Sequence, residues 1–499
     1  MTIDGLADES IWNQCEEATE FVQFTPRNLE ASEVDTRVKL VYDDDAIYIF
    51  VACLDNPEHV STVLTARDDF NANTDNFQVT FDTYNDDLNG FNFGISSTGV
   101  QYDSKMFQGN ETIEFNLVWQ SKALVTDSGW QAELRIPYSA LRFPHDEHQE
   151  WGVNFYRQRS FTREESCWNA IDPTFDNYIA QCGKLVGIEG IHPPLRLAFI
   201  PYLSGYQNFY SSDGITHERA HQFNGGMDIK YGINEAFTLD MTLIPDFGQV
   251  VFDNKVLNVS PFEIQFNENR QFFTEGTELF TKAGLFYSRR IGIQAPQEVL
   301  THELKPNEQL GAYSSNAQLY NASKLSGRTN NGLGIGVFNA VSAEQKGSAI
   351  SLIDSSEREI TLSPLTHYNV VVLDQNLKHN GYINFTNTNV TRKGAVYDAN
   401  AAGLKVRFNS SDNKYGFEGY MARSYKLYSN TTSQGGTGYL TVGKQTGKYV
   451  YSYKLTLESD TYNPNDLGFN TNNNKHIHEL NLGYRNFEPT KQFINRVLL

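Results

Sequence analysis

The stretch EAFTLDMTLIPDFGQV, residues 235–250, decides the fold. Phe237, Leu239, Met241 and Leu243 fall on one side of an extended chain and Thr238, Asp240 and Thr242 on the other, because successive strand side chains point to opposite faces. One side is apolar and the other polar. Whether the apolar side meets a protein core or meets lipid separates a soluble sandwich from a membrane barrel.

Runs of the same kind continue on both sides of this stretch. Downstream they include NGLGIGVFNAV, YNVVVLDQNL, GYINFTNTNV, AGLKVRFNSS and KYVYSYKLTLES, most of them about ten residues long, the length a tilted strand needs to cross a bilayer. In KYVYSYKLTLES the residues Tyr449, Tyr451, Tyr453, Leu455 and Leu457 share a face; in NGLGIGVF, Leu333, Ile335 and Val337 oppose Gly332, Gly334 and Gly336. A soluble sandwich would alternate too. The number of long consecutive strands with polar inner positions (Asp228, Lys230, Asp240, Lys405, Arg407) favours a transmembrane antiparallel β-barrel, since closure alone satisfies every backbone group in lipid. The chain stops inside QFINRVLL, so the barrel is expected to be incomplete at the C-terminus.

Upstream the chemistry changes. Residues 1–190 carry 33 Asp and Glu against 12 Lys and Arg, a net charge of -21, whereas the remainder carries 27 against 28. All five Trp lie in the acidic part. Short strands there, such as NFQVTFDTYND and WQAELRIPYSAL, alternate with Asp- and Asn-rich turns, the pattern of a jelly-roll-like β-sandwich. The expected division is a sandwich over 1–190, a proline-marked hinge in GIEGIHPPLRL (187–197), and a barrel over 191–499 with a long plug-like or loop segment at about 246–284.

Several classes fall away. No clustered Lys/Arg stripe offers itself to phosphates, which excludes nucleic acid. No stretch of about 18 apolar residues occurs, so transmembrane helices are excluded, a test to which barrels are indifferent. Met1 is followed at once by TIDGLADESIW, with neither a basic nor an apolar leader region; the chain is either cytoplasmic or lacks its start. Cys15, Cys53, Cys167 and Cys182 match no zinc spacing; Cys167 and Cys182 could close a loop, or all four could be buried thiols. There is no G-x-S-x-G elbow, H-E-x-x-H helix or P-loop, and carboxylate doublets such as Asp68–Asp69 and Glu164–Glu165 face opposite ways on a strand, which argues against a glycosidase pair.

The opening IDGLADESIW resembles the entry of the family 9 carbohydrate-binding modules. The stretches DNFQVTFDTYNDDLNGFNFGISSTGVQYD (75–103), GWQAELRIPYSALRF (129–143) and EWGVNFYRQRSFTREESCW (150–168) are similar to the same module. The second part is similar to the barrel family of domain of unknown function 5916, found behind such a module in Gram-negative outer membranes. The words that carry it are TLIPDFGQVVFDNKVLNVSPFEIQFNENRQFFTEGTELF (242–280), LFYSRRIG (285–292), PLTHYNVVVLDQNL (364–377) and YNPNDLGF (462–469). The resemblance implies outer-membrane localisation, an outer-membrane lipid environment and a polysaccharide or oligosaccharide partner. It implies no activity.

A pyranose stacks on an exposed aromatic ring while polar neighbours take its hydroxyls. Trp12, Trp130 and Trp151 lie in the module's framework words and are assigned to the core. Trp119 and Trp168 are the stacking candidates, with Arg157, Arg159 and Arg163 as donors and Glu165 as acceptor; buried ion pairing is the competing reading of RQRSFTREE. In the barrel, Asp246 marks a strand end, and Glu263, Glu268 and Arg270 are expected as lumen or plug charges paired with Arg289 and Arg290. Asp82, Asp86 and Asp87 carry oxygens suited to a structural calcium, the sole cofactor candidate, against plain hairpin chemistry. The run HDEH (145–148) reads as a solvated turn, and the pair His476 and His478 as a lumen-facing or interfacial polar pair. Glycan binding or uptake without catalysis is the leading function; a glycoside hydrolase of carbohydrate catabolism, or an envelope assembly protein docking other envelope proteins, are the alternatives.

Overall fold

The computed structural model describes every residue except 70–72, 108–109, 114–116, 174–176, 193–196, 211–217, 235–236, 246–256, 261, 267, 269, 275–277, 293–294, 312–316, 330, 395–396, 487–496 and 499. The fold is nearly all β, as the alternation requires.

The first part is a two-sheet sandwich. One sheet runs in the order Glu17–Ala18, Thr36–Tyr42, Ala46–Leu54, Gly129–Pro137, Gln120–Thr126. The other runs Val22–Thr25, Glu164–Cys167, His148–Arg159, Asn76–Asp82, Asn89–Ser96, Gln101–Phe107, Asn110–Thr112, with Gly183–Glu189 also on His148–Arg159. Their inner faces interdigitate: Ile47, Ile49, Val51, Trp130 and Leu134 meet Phe77, Val79, Phe81, Phe93, Trp151 and Phe155. Burial of each such side chain contributes roughly 1.5–3 kcal/mol. Trp12 is buried as well, against Tyr48 and Phe50 on the other side of the first sheet. All four cysteines are unpaired.

The second part is a thirteen-stranded antiparallel sheet whose strands follow chain order from Leu197–Tyr210 to Val497–Leu498. Those two edge strands are not paired to each other among the described residues. Turns such as 378–380, 410–414 and 445–448 lie at one end. The other end carries the described residues of the insertion between Leu243 and Leu319, a small three-stranded sheet (Glu308–Leu310, Gln345–Ser351, Glu357–Ser363) and the loop 459–474. The sandwich joins at the short-turn end, where Leu197 pairs with Tyr231.

In Phe237–Leu243 the polar residues are the buried ones: Thr238, Asp240 and Thr242 are at most 7% exposed, while Phe237, Leu239, Met241 and Leu243 are half-exposed. The sheet is thus inside out relative to a soluble protein. Within the described residues the insertion packs on its inner side through Gln297–Leu300, beyond the plug-like or loop segment of about 246–284 read from the sequence. Phe273, Leu279, Phe280, Phe286 and Ile291 of the plug pack on Phe338, Ala340, Val370 and Val372 of the wall. The inward glycines explain the fit. A Cβ on Gly334 would lie 2.9 Å from Leu279, and one on Gly336 would lie 3.0 Å from the Phe280 ring.

Candidate functional site

The face of the larger sandwich sheet that points away from the core is built of amides. Along Asn76–Asp82 the residues Asn76, Gln78 and Thr80 alternate with the core residues Phe77, Val79 and Phe81, and register places Asn92 beside Thr80 and Gln158 beside Asn76. Asn76 Nδ2 donates to Gln158 Oε1 (3.0 Å), Gln78 Nε2 to Asn76 Oδ1 (3.1 Å), and Asn92 Nδ2 to Gln78 Oε1 (2.8 Å). Thr80 Oγ1 closes onto Asn92 Oδ1, and Asn92 Nδ2 also reaches Glu111. Glu111 takes the Tyr102 hydroxyl (2.5 Å) and that of Ser104. Burial first, and then Glu111, hold the Tyr102 hydroxyl above its ordinary pKa. Asn76 and Asn92 are buried, Gln78 and Gln158 half-buried, and Glu111 exposed, so the network runs from the sheet to solvent. Amides present donor and acceptor side by side, which is what a vicinal diol demands.

The residues expected to hold sugar fare differently. Trp119 is a correction: it is 5% exposed, set edge-on to Phe93, with its indole N–H donated to Asp103, so no ring face is open for stacking. Trp168 is half-buried and leans on Phe155 across from Gly183. Arg157 and Arg159 are a second correction. Arg157 is 1% exposed and donates to the carbonyls of Asp35 and Leu54, while Arg159 grips both Asp55 oxygens at 2.6 and 2.9 Å and reaches Glu33. Ion pairing won there because the two arginines enter the sandwich between its sheets. Burial raises the Asp55 pKa, but the Arg159 hydrogen bonds and both guanidinium charges bring it below the ordinary carboxylate value. Arg163 is exposed on a left-handed turn. Of the six, Glu165 alone shares the amide face, cross-strand from Gln158 and bonded to the Tyr156 hydroxyl.

Asp82, Asp86 and Asp87 do not converge as a calcium cage. Asp82 accepts the amides of Asp86 and Asp87, and Asp86 accepts those of Leu88 and Asn89, so the oxygens cap a turn. Burial, then the charge of Asp86, pushes the Asp82 carboxyl up to about 7. Among the described residues no group of three or more metal-ligating side chains gathers anywhere. His148 pairs with Glu189, His145 meets His192 edge to face, and His476 and His478, whose Nε2 atoms are 3.1 Å apart, lie on the outer barrel face.

In the plug, Arg290 pairs with Glu263 at 2.7 Å, and Arg270 binds its near neighbour Glu268 at 2.7 Å. Asp246 lies outside the described residues. The wall supplies charges that sequence reading missed: Asp374 holds Lys282 and Arg328, and Glu418 takes the Tyr439 and Tyr382 hydroxyls near Lys405. A cleft of about 430 Å³ separates sandwich and barrel mouth, with Tyr84, Asn89 and Arg142 on one side and Arg328, Asn331 and Asn376 on the other.

The outer surface carries a belt of exposed apolar residues that crosses the sheet obliquely. On Phe237–Leu243 it includes Met241, whose hydrogen-bonded row continues through Ser323, Asn339, Asn369, Asn389 and Asn400 to Tyr425. That row turns to amide, and on those strands the apolar positions lie nearer the short turns, at Phe385, Leu404 and Met421. By Lys475–Asn486 they have moved to Leu480 and Leu482. A belt level in space cuts hydrogen-bonded rows diagonally when strands tilt, as they do in a barrel wall. No helix of the described residues is long and apolar enough to cross a membrane.

Residues 193–498 match the family described as domain of unknown function (DUF5916), and residues 3–178 match the carbohydrate family 9 binding domain-like family. No curated protein matches the chain. Among solved structures, a candidate carbohydrate-binding protein from Bacteroides uniformis is 14% identical with a TM-score of 0.30, over 35% of this chain and 87% of that one. OmpT of Vibrio cholerae, outer-membrane expressed, is 7% identical with a TM-score of 0.25, over 89% and 98%. OccAB3 of Acinetobacter baumannii is 8% identical with a TM-score of 0.24, over 93% and 96%.

Proposed function

The chain belongs to the family described as domain of unknown function (DUF5916), and on that premise we propose that it is an outer-membrane β-barrel protein that captures glycans for uptake at the cell envelope. The observation that carries the membrane half is the inversion of the sheet: Asp240 and Lys324 are buried on the plug side while Val337, Leu373, Phe385 and Met421 stand exposed outside. Water disfavours so wide an apolar surface, whereas acyl chains accept it. The glycan half rests on the amide face of the carbohydrate-binding-like domain, with Gln78, Gln158 and Glu111 as its solvent-facing contacts. The reading assigns no catalysis.

The test has two arms. The full chain is expected to float with lipid vesicles after alkaline extraction; recovery in the soluble fraction sinks the membrane half. Titration calorimetry of the detergent-solubilised chain against an oligosaccharide panel is expected to show binding that Gln78→Ala weakens at least tenfold. Binding that ignores this substitution sinks the assignment of the amide face.

A further inference from the structure

Strand Thr432–Lys444 contains the run GGTG at 435–438, and its outward glycines leave a dent in the apolar belt. Gly438 stands in the row between Met421 and Leu457, and Gly436 stands beside Arg423. The resulting groove has a volume of about 980 Å³. Phe385, Leu404, Met421, Leu440 and Leu457 form its apolar length, and Arg423, Tyr425 and His476 stand at its polar end. From the row of Leu440, which pairs with Gly419, to that of Tyr425 is six residues along the strand, or roughly 20 Å at about 3.4 Å per residue.

Arg423 is the anomaly. It is exposed on the outer face, one row beyond Met421, and its guanidinium makes no hydrogen bond or ion pair among the described residues. The other charges that line the groove cancel, since Lys475 pairs with Glu458 at 3.5 Å, and the neighbouring outer positions are neutral: Asn387 and Asn400 bond to each other across adjacent strands, and Gln434 pairs with Tyr425 in register. An unneutralised cation at the margin of an apolar belt, at the head of a groove long enough for a hydrocarbon chain, complements a molecule that is apolar along its length and anionic at its tip.

We propose that this groove seats an anionic, phosphate-bearing membrane lipid, its acyl chain along Met421, Leu440 and Leu457 and its phosphate on Arg423. The site rests on the membrane-barrel reading above. It needs no insertion of the lipid into the lumen, because all the named contacts lie on the outer face.

The full chain in detergent micelles would be mixed with dioleoylphosphatidylglycerol or dioleoylphosphatidylcholine and the retained lipid counted by native mass spectrometry. The expected result is retention of the anionic lipid at least fivefold above the zwitterionic one, lost in both Arg423→Gln and Gly436→Leu. The second variant fills the groove without a clash, since a Cβ there has nothing nearer than 3.6 Å. Equal retention of the two lipids, or wild-type retention by both variants, overturns the site. A chain that does not float with vesicles overturns the membrane reading and the site together; one that floats but is indifferent to headgroup and substitutions overturns the site alone.

Discussion

The Lys282 ammonium lies 2.8 Å from a carboxylate oxygen of Asp374, tying the plug to the barrel wall where both side chains are at most 5% exposed. Arg328 approaches the other oxygen, and Asn384 donates to the same carboxylate at 3.2 Å. One wall carboxylate thus answers one plug cation and one wall cation.

Removing that carboxylate leaves two cations facing each other in a buried site. Asp374→Ala is expected to cost about 3–5 kcal/mol and to open the plug to protease before the wall unfolds. Limited proteolysis followed by intact-mass analysis checks it; cleavage no faster than in the wild type would contradict the role given to the pair.

The wall glycines make a steric prediction. Gly336→Leu places a side chain where the Phe280 ring sits, 3.0 Å from the Cβ position, and overpacking of this kind costs about 1–3 kcal/mol. Faster proteolysis within 271–300 is expected, with the strand signal in circular dichroism unchanged.

Trp119 and Gln78 should separate stability from binding. Trp119→Ala removes a buried ring and is expected to destabilise the sandwich by about 3–5 kcal/mol, leaving the sugar affinity of the folded fraction intact. Gln78→Ala should do the reverse. Because all five Trp lie within residues 1–190, tryptophan fluorescence during denaturation reads the sandwich separately from the barrel.

Two aspartates bias the sandwich in opposite directions with pH. Asp82 binds its proton more tightly folded than unfolded, so its contribution to stability is present at low pH and falls as pH rises from about 4, the unfolded value, to about 7. Asp82→Asn should flatten that decline, a difference on the order of 2–4 kcal/mol at pH 8 at about 1.4 kcal/mol per unit. Asp55, held below its ordinary value, stabilises above the unfolded carboxylate pKa and loses that contribution as pH falls through its folded pKa. Urea denaturation across pH 3–8 checks both signs.

Much of this architecture was legible in alternation alone. The run FTLDMTL fixed which residues share a face, and LGIGVF announced a wall with one bare side; what alternation lacked was the sign of the faces, because a core and a bilayer present the same period. The amide face was legible in retrospect: NFQVTF places Asn76, Gln78 and Thr80 at every second position, and FNFGIS and NFYRQ put Asn92 and Ser96, and Asn154 and Gln158, on alternating positions of their strands. Attention to isolated Trp and Arg missed it, since loop-like flanks say nothing about depth, and Trp119 and Arg157 proved to be buried by strands far away in sequence. Asp374 and Lys282 were invisible as a pair for the same reason, standing 92 positions apart.

The place of the plug in the chain bears on how the molecule assembles. Phe273, Phe280 and Phe286 are synthesised after three of the long strands, yet the residues they rest on (Phe338, Val370, Val372, Val390 and Ala399) all come later. The stopper therefore precedes most of its bottle in the chain, and its apolar side chains have no wall to rest on until the later strands are made. Contacts so distant in sequence form slowly, so those phenylalanines stay without cover while the wall is completed.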